Sequence, residues 1–206
     1  MAKNEVKVCS LNLYNETPRR QPGYNDKIKE GLISLLDEQA KTCDFLGFQE
    51  WWLGDKVPES SDKRYGQIKS PPIKYFDIQQ VVLFYDEIKF QLNKSLVSIE
   101  ETLSHPTDTY KHFRDIMYAA GLFELKGDGK ILIVINVHFP HMDNTILKHE
   151  NGLGVKQGEK PQCFSDKEKC NTFTKTYNVL NYIIEVLSKE LSEDLTEDLT
   201  IIIMGD

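Results

Sequence analysis

The sequence predicts a mixed α/β sandwich in which β-sheets are covered by helices. Two observations predict it. Short apolar runs of strand length are interleaved with two segments of helical period. Their order is strand–helix–strand, then several strands joined by turn signals, then helix–strand. The 206 residues correspond to one domain, spanning 1–206, and suffice to bury a sizeable core.

Val6 to Leu13 alternates partially and reads as the first strand. A turn-rich stretch with Pro18 and Pro22 follows, and Asn25 or Asp26 is placed to cap a helix. That helix would present Ile28, Leu32, Leu35, Leu36 and Ala40 on one face. Asp44 to Glu50 is short and apolar, a buried strand ending in a carboxylate, and Trp51 to Arg64 reads as a loop. Strands are expected over Tyr65–Lys69, Phe76–Tyr85 and Phe90–Ile99. Phe113–Leu125 and Lys130–Phe139 form a hairpin about Lys126-Gly127-Asp128-Gly129. Pro140 to Lys169 is long and polar with no clear period, a loop of a length that is uncommon and often functional. Phe173, Tyr177, Leu180, Ile184, Leu187 and Leu191 step by four and three and define the clearest helix. Thr200 to Met204 reads as a buried strand.

Composition narrows the function classes. Hydrophobic residues make up 40% and charged residues 28%, which excludes a disordered chain. A net charge of −7 disfavours a protein that grips nucleic acid with a broad basic face, although a local basic cleft is compatible with it. No apolar run is long enough to span a membrane, and the first residues lack a signal-peptide core. Cys9 and Cys43 sit in apolar contexts and read as reduced core residues; a cytoplasmic location follows as the default. Cys163 and Cys170, with His141 and His149 upstream, do not match a zinc spacing.

Asn12, Glu50, His138 and Asp206 share one property: each lies in or at the end of an apolar strand. Each has an ordinary structural reading alone. Asn12 and His138 could be hydrogen-bonded core residues, Glu50 a cap or loop residue, and Asp206 a solvated terminal residue. Burying all four is costly unless they are paired or hold a metal.

Taken together, Ser10-Leu11-Asn12, Phe48-Gln49-Glu50, Asn136-Val137-His138-Phe139 and Met204-Gly205-Asp206 occur in the order and strand context of the endonuclease/exonuclease/phosphatase superfamily, which this sequence resembles. The resemblance implies a four-layer α/β sandwich of two mixed β-sheets flanked by helices, with the C-terminal part missing. It implies a metal-dependent hydrolase of phosphate esters, using in-line attack of water on phosphorus. Glu50 would be the principal Mg²⁺ ligand with Asn12 beside it, Mn²⁺ being an alternative occupant. His138 would contact the scissile phosphate, and Asp206 would orient or deprotonate the attacking water. Arg114 matches a strand position where some members carry a phosphate-contacting arginine, with a surface ion pair as the competing reading. Trp51 and Trp52 would line the mouth of the site or pack in the core. The substrate would be nucleic acid, an inositol phosphate or a phospholipid head group, and no partner protein is indicated. The family continues Gly-Asp-x-Asn where this chain stops at Gly205-Asp206, so a shortened domain is expected. The alternative is a catalytically incomplete relative that binds a phosphorylated ligand without turnover.

Overall fold

The computed structural model describes residues 5–13, 24–51, 53–71, 81–98, 117–138, 171–189, 191 and 199–205; within the helices, the side chains of 24–26 and 171–178 are not described. Asp206, Arg114, Trp52 and the 140–170 segment, with His141, His149, Cys163 and Cys170, lie outside the described residues.

Ten elements follow in order: β1 (Val8–Asn12), α1 (Tyr24–Ala40), β2 (Phe45–Gln49), β3 (Tyr65–Lys69), β4 (Val82–Asp86), β5 (Phe90–Val97), β6 (Met117–Leu125), β7 (Ile131–His138), α2 (Asn171–Ser188) and β8 (Thr200–Gly205). They form two four-stranded sheets, ordered β1-β2-β4-β3 and β5-β6-β7-β8. Each sheet is mixed. The β1/β2 and β7/β8 pairs are parallel and the others antiparallel. Parallel neighbours need a long crossover, and α1 and α2 lie in those two crossovers.

The period of two along each strand sorts side chains between layers. Facing between the sheets are Phe45, Leu83, Tyr85, Phe90, Ala119, Phe123, Leu132 and Val134. At its centre Phe45 meets Phe90 and Phe123 at ring-centroid distances of 4.6 and 5.0 Å. The opposite face of the first sheet, with Leu46, Phe48, Val82 and Phe84, packs on Leu36 and Ala40 of α1. The outer face of the second sheet, with Ala120, Ile133, Ile135 and Val137, packs on Val179, Ile183 and Leu187 of α2. The layers are therefore α1, first sheet, second sheet, α2: a four-layer α/β sandwich.

Three details differ from the sequence reading. Helix α1 begins at Tyr24, so Asn25 and Asp26 lie inside its first turn rather than capping it. Leu35 is exposed at 39%, because the buried stripe runs through Leu36 and Ala40. Strand β8 is not buried: only Met204 is, and Ile201 and Ile203 are 42% and 50% exposed. Among the described residues β8 pairs only with β7, so one of its edges is open.

Cys9 and Cys43 are joined through their sulfurs, which corrects the reading of both as reduced. Register explains the meeting. Val8 pairs with Phe45, so the starts of β1 and β2 lie side by side. Both cysteines belong to the α1-facing layer.

The sandwich is tied at both ends of β2. At the start, Asp44 is buried, accepts from the Lys7 amide at 2.9 Å and from Lys89 Nζ at 2.7 Å. Lys89 lies in the β4–β5 turn that carries the chain from one sheet to the other. At the other end, Asn136 of β7 reaches into the first sheet across Gly47. A Cβ on Gly47 would sit 2.7 Å from Asn136 Oδ1 and 2.9 Å from its Cγ. Gly47→Ala is therefore expected to force the sheets apart locally and destabilise by about 1–3 kcal/mol, read as a lower urea midpoint. An unchanged midpoint would show that the gap closes without strain.

Tyr65 seals the end of α1, its hydroxyl facing the carbonyls of Ala40 (2.9 Å) and Cys43. Burial, then the charges of Asp86, Asp44 and Asp62, push its phenol well above the ordinary value of 10.0. Burial does the same at Tyr118. The fold thus favours the neutral phenols. Their contribution is intact below about pH 10, the unfolded value, and is lost as pH rises beyond it. The melting temperature is expected to fall on the alkaline side of pH 10. In Tyr65→Phe that decline should be shallower, with a loss of about 1 kcal/mol at neutral pH from the missing hydroxyl.

Candidate active site

Three of the four sequence-predicted site residues meet. Asn12 ends β1, Glu50 follows β2, and His138 ends β7. Parallel pairing aligns the first two: Asn12 is opposite Gln49, and Glu50 is the next residue. Asn12 Nδ2 donates to Glu50 Oε1 at 3.3 Å. His138 comes from the other sheet, and its Nε2 lies 3.7 Å from the same Oε1. The Glu50 and His138 side chains retain only 5% and 13% exposure. The grouping is therefore a carboxylate, a carboxamide and an imidazole at the same end of both sheets.

Glu50 adopts φ 54°, and among the described residues it is the only non-glycine with positive φ. For an L-residue this left-handed conformation costs about 1–2 kcal/mol. The turn redirects the chain immediately after β2. Gln49 faces the sheet interface, and Trp51 belongs to the α1-facing layer. Backbone strain held in place by its surroundings concentrates at functional sites.

Beneath these three residues lies a polar layer that sequence reasoning did not single out. Asn136 is completely buried. Its Nδ2 donates to the carbonyls of Phe48 (3.0 Å) and Val82 (2.8 Å). Phe48 and Val82 are the last pair in the β2–β4 register, so the carboxamide donates to both carbonyls at the end of that ladder. Gln49 Nε2 donates to Asn136 Oδ1 at 2.5 Å and to Ser10 Oγ at 3.1 Å. The available signal was a lone Asn inside the apolar run from Ile131 to Val137, since a polar group buried in such a strand requires partners.

Trp51 is 1% exposed. Its indole N–H donates to the Gly54 carbonyl at 2.9 Å, and its ring contacts Phe48 and Phe84. It therefore sits within the α1-facing core. Asp206 and Arg114 lie outside the described residues, so the structure brings neither to the site nor away from it. Gly205, the last described residue, runs beside Val137 so closely that a Cβ there would overlap the Val137 carbonyl.

Chemically, Glu50 and Asn12 offer hard oxygen donors of the kind that hold Mg²⁺, which accepts one or two carboxylates and keeps several waters. Among the described residues no group of three or more His, Cys, Asp or Glu forms a metal cluster, and no helix is long and apolar enough to cross a membrane.

No family model matches the sequence, and no curated protein matches it. Solved structures do match the fold. An endonuclease/exonuclease/phosphatase family protein from Bacteroides thetaiotaomicron aligns over 98% of this chain and 61% of its own, at 15% identity and TM-score 0.57. A mannosyl-6-phosphatase from the same organism aligns over 98% and 65%, at 16% identity and TM-score 0.55. TDP2 from D. rerio, complexed with a single-strand DNA product, aligns over 98% and 60%, at 15% identity and TM-score 0.53. The chain spans under two thirds of the length of each. The element order, the two facing mixed sheets and these matches agree, and the chain has the endonuclease/exonuclease/phosphatase fold.

Proposed function

We propose that this chain carries the site of a Mg²⁺-dependent phosphate-ester hydrolase. The observation that supports it most is the meeting of Asn12, Glu50 and His138 from three strands on two sheets, within 3.3 and 3.7 Å of one carboxylate oxygen. In this reading Glu50 and Asn12 hold the cation. When bound, it would neutralise charge developing on the phosphate oxygens. The sandwich walls keep the Glu50 carboxylate largely out of water, which strengthens its pull on a cation. The His138 ring lies beside the same carboxylate oxygen as Asn12, and it would contact the phosphate and assist the leaving oxygen. Asp206 is proposed to orient the attacking water. Arg114 is proposed as a phosphate contact.

The substrate class is proposed from chemistry shared by the structural neighbours. One is a mannosyl-6-phosphatase and another is bound to a single-strand DNA product; a sugar phosphate and a DNA strand are both phosphate esters. A net charge of −7 favours a small phosphate ester or a head group over a long polyanion.

The test is hydrolysis of bis-p-nitrophenyl phosphate and p-nitrophenyl phosphate by the 206-residue chain, with and without Mg²⁺. Turnover is expected only with the cation. Glu50→Gln, which keeps the shape and removes the charge, should lower it by at least about 10²-fold, the scale for losing one pre-placed charge-stabilising group. The circular dichroism spectrum should be unchanged. Phosphate binding without turnover in the parent chain would instead support a ligand-binding relative.

A further inference from the structure

We infer that Asn136 and Gln49 are positioning residues, which hold Glu50 in its left-handed conformation and set its carboxylate against Asn12 and His138. The inference rests on the hydrolase reading only for what the positioned carboxylate does. The geometry stands apart from it.

The network has a definite relation to the site. Ser10 lies two residues before Asn12, Phe48 two before Glu50, Gln49 one before Glu50, and Asn136 two before His138. Along a strand, residues two apart face the same side. Asn136 and His138 therefore share the inward face of β7, as Ser10 and Asn12 share that of β1. One hydrogen-bonded layer, Ser10–Gln49–Asn136 with the Phe48 and Val82 carbonyls, thus sits one step below all three site residues. Gly47 supplies the room: with any larger residue there, Asn136 could not approach Phe48.

Why this layer positions as well as packs follows from Glu50. A residue at φ 54° relaxes unless the chain on both sides is fixed. After it, Trp51 is locked by the Gly54 carbonyl and two aromatic rings. Before it, Gln49 is held by its own side chain and Phe48 by the Asn136 carboxamide. An apolar pair could fill the same volume, but it would give up the directional bonds from Asn136 to the Phe48 and Val82 carbonyls and from Gln49 to Asn136, leaving the strand end held by its ladder alone. Partners that orient ligating carboxylates act in this way, and their loss typically weakens metal binding about 10–100-fold.

The test uses the full chain with two variants, Asn136→Ala and Gln49→Met; the second keeps side-chain length and stays informative where the first fails to fold. Ile183→Val, in the α2 core, is the control for lost stability alone. Two quantities are measured: Mg²⁺ affinity by calorimetry, and the backbone NMR signals of Glu50, whose three-bond coupling and carbon shifts report positive φ. Glu50 is expected to relax to negative φ in both variants, with Mg²⁺ binding weakened by roughly tenfold or more. Ile183→Val should leave both readings at parental values. Unchanged Glu50 signals in a folded Gln49→Met overturn the inference, whatever the metal affinity. Relaxed signals with parental Mg²⁺ affinity overturn it as well. Where the parent binds no Mg²⁺, the hydrolase reading fails separately, and the Glu50 signals alone decide the positioning role.

Discussion

One buried carboxamide organises this molecule. Asn136 lies between two sheets, next to Gln49 in an interface filled elsewhere by aromatic and aliphatic side chains, and it is fully buried. A buried amide without partners would cost several kcal/mol on an apolar-transfer scale. Here both sides of the group are used: two donors on the Phe48 and Val82 carbonyls, and an acceptor for Gln49. The bonds are directional, so the sheets are held in one register at this end, which apolar contact alone does not dictate. At the far end Asp44 and Lys89 tie the crossover between the sheets. The aromatic centre around Phe45 lies between these two polar ties.

The site inherits its geometry from that arrangement. Strands of opposite sheets deliver Glu50 and His138 to one place, so a shift of one sheet over the other would separate them directly. The glutamate is also bent out of the ordinary backbone range. Strain at the proposed cation-holding carboxylate, with hydrogen bonds beneath it, is the division expected of a preorganised site. Flexibility there would spread the carboxylate over orientations of which few face Asn12.

Much of this was legible in the residues. The strand runs, the hairpin at Gly127 and Gly129, and the two crossover helices followed from period and turn chemistry, and Tyr65–Lys69 matched to the residue. Asn12, Glu50 and His138 were readable because each is a polar residue at an apolar strand end. What escaped has physical reasons. On α2 the expected stripe ran through Leu180, Ile184 and Leu187; Leu187 is fully buried, but Val179 and Ile183 share that state while Leu180 and Ile184 are only partly buried. Adjacent apolar residues on a helix leave the phase of the stripe undetermined until the sheet is in place. The uniform Ile201–Met204 run does not show which of its side chains face outward, because apolar runs look alike buried or bordering. The joining of Cys9 and Cys43 depends on the β1/β2 register, and the positive φ of Glu50 on tertiary constraint; neither leaves a local trace.

The outer strands bear on how the molecule behaves among its own kind. Among the described residues β1 and β8 each pair on one side only, and Val8, Leu11, Ile201 and Ile203 are exposed there. Such a border is a template for any extended polypeptide that arrives. A tethered segment would compete at the millimolar effective concentrations typical of short linkers, while a neighbouring molecule competes only at its bulk concentration. At such an edge the choice between the two would be a matter of dilution, with crowding favouring the neighbouring molecule.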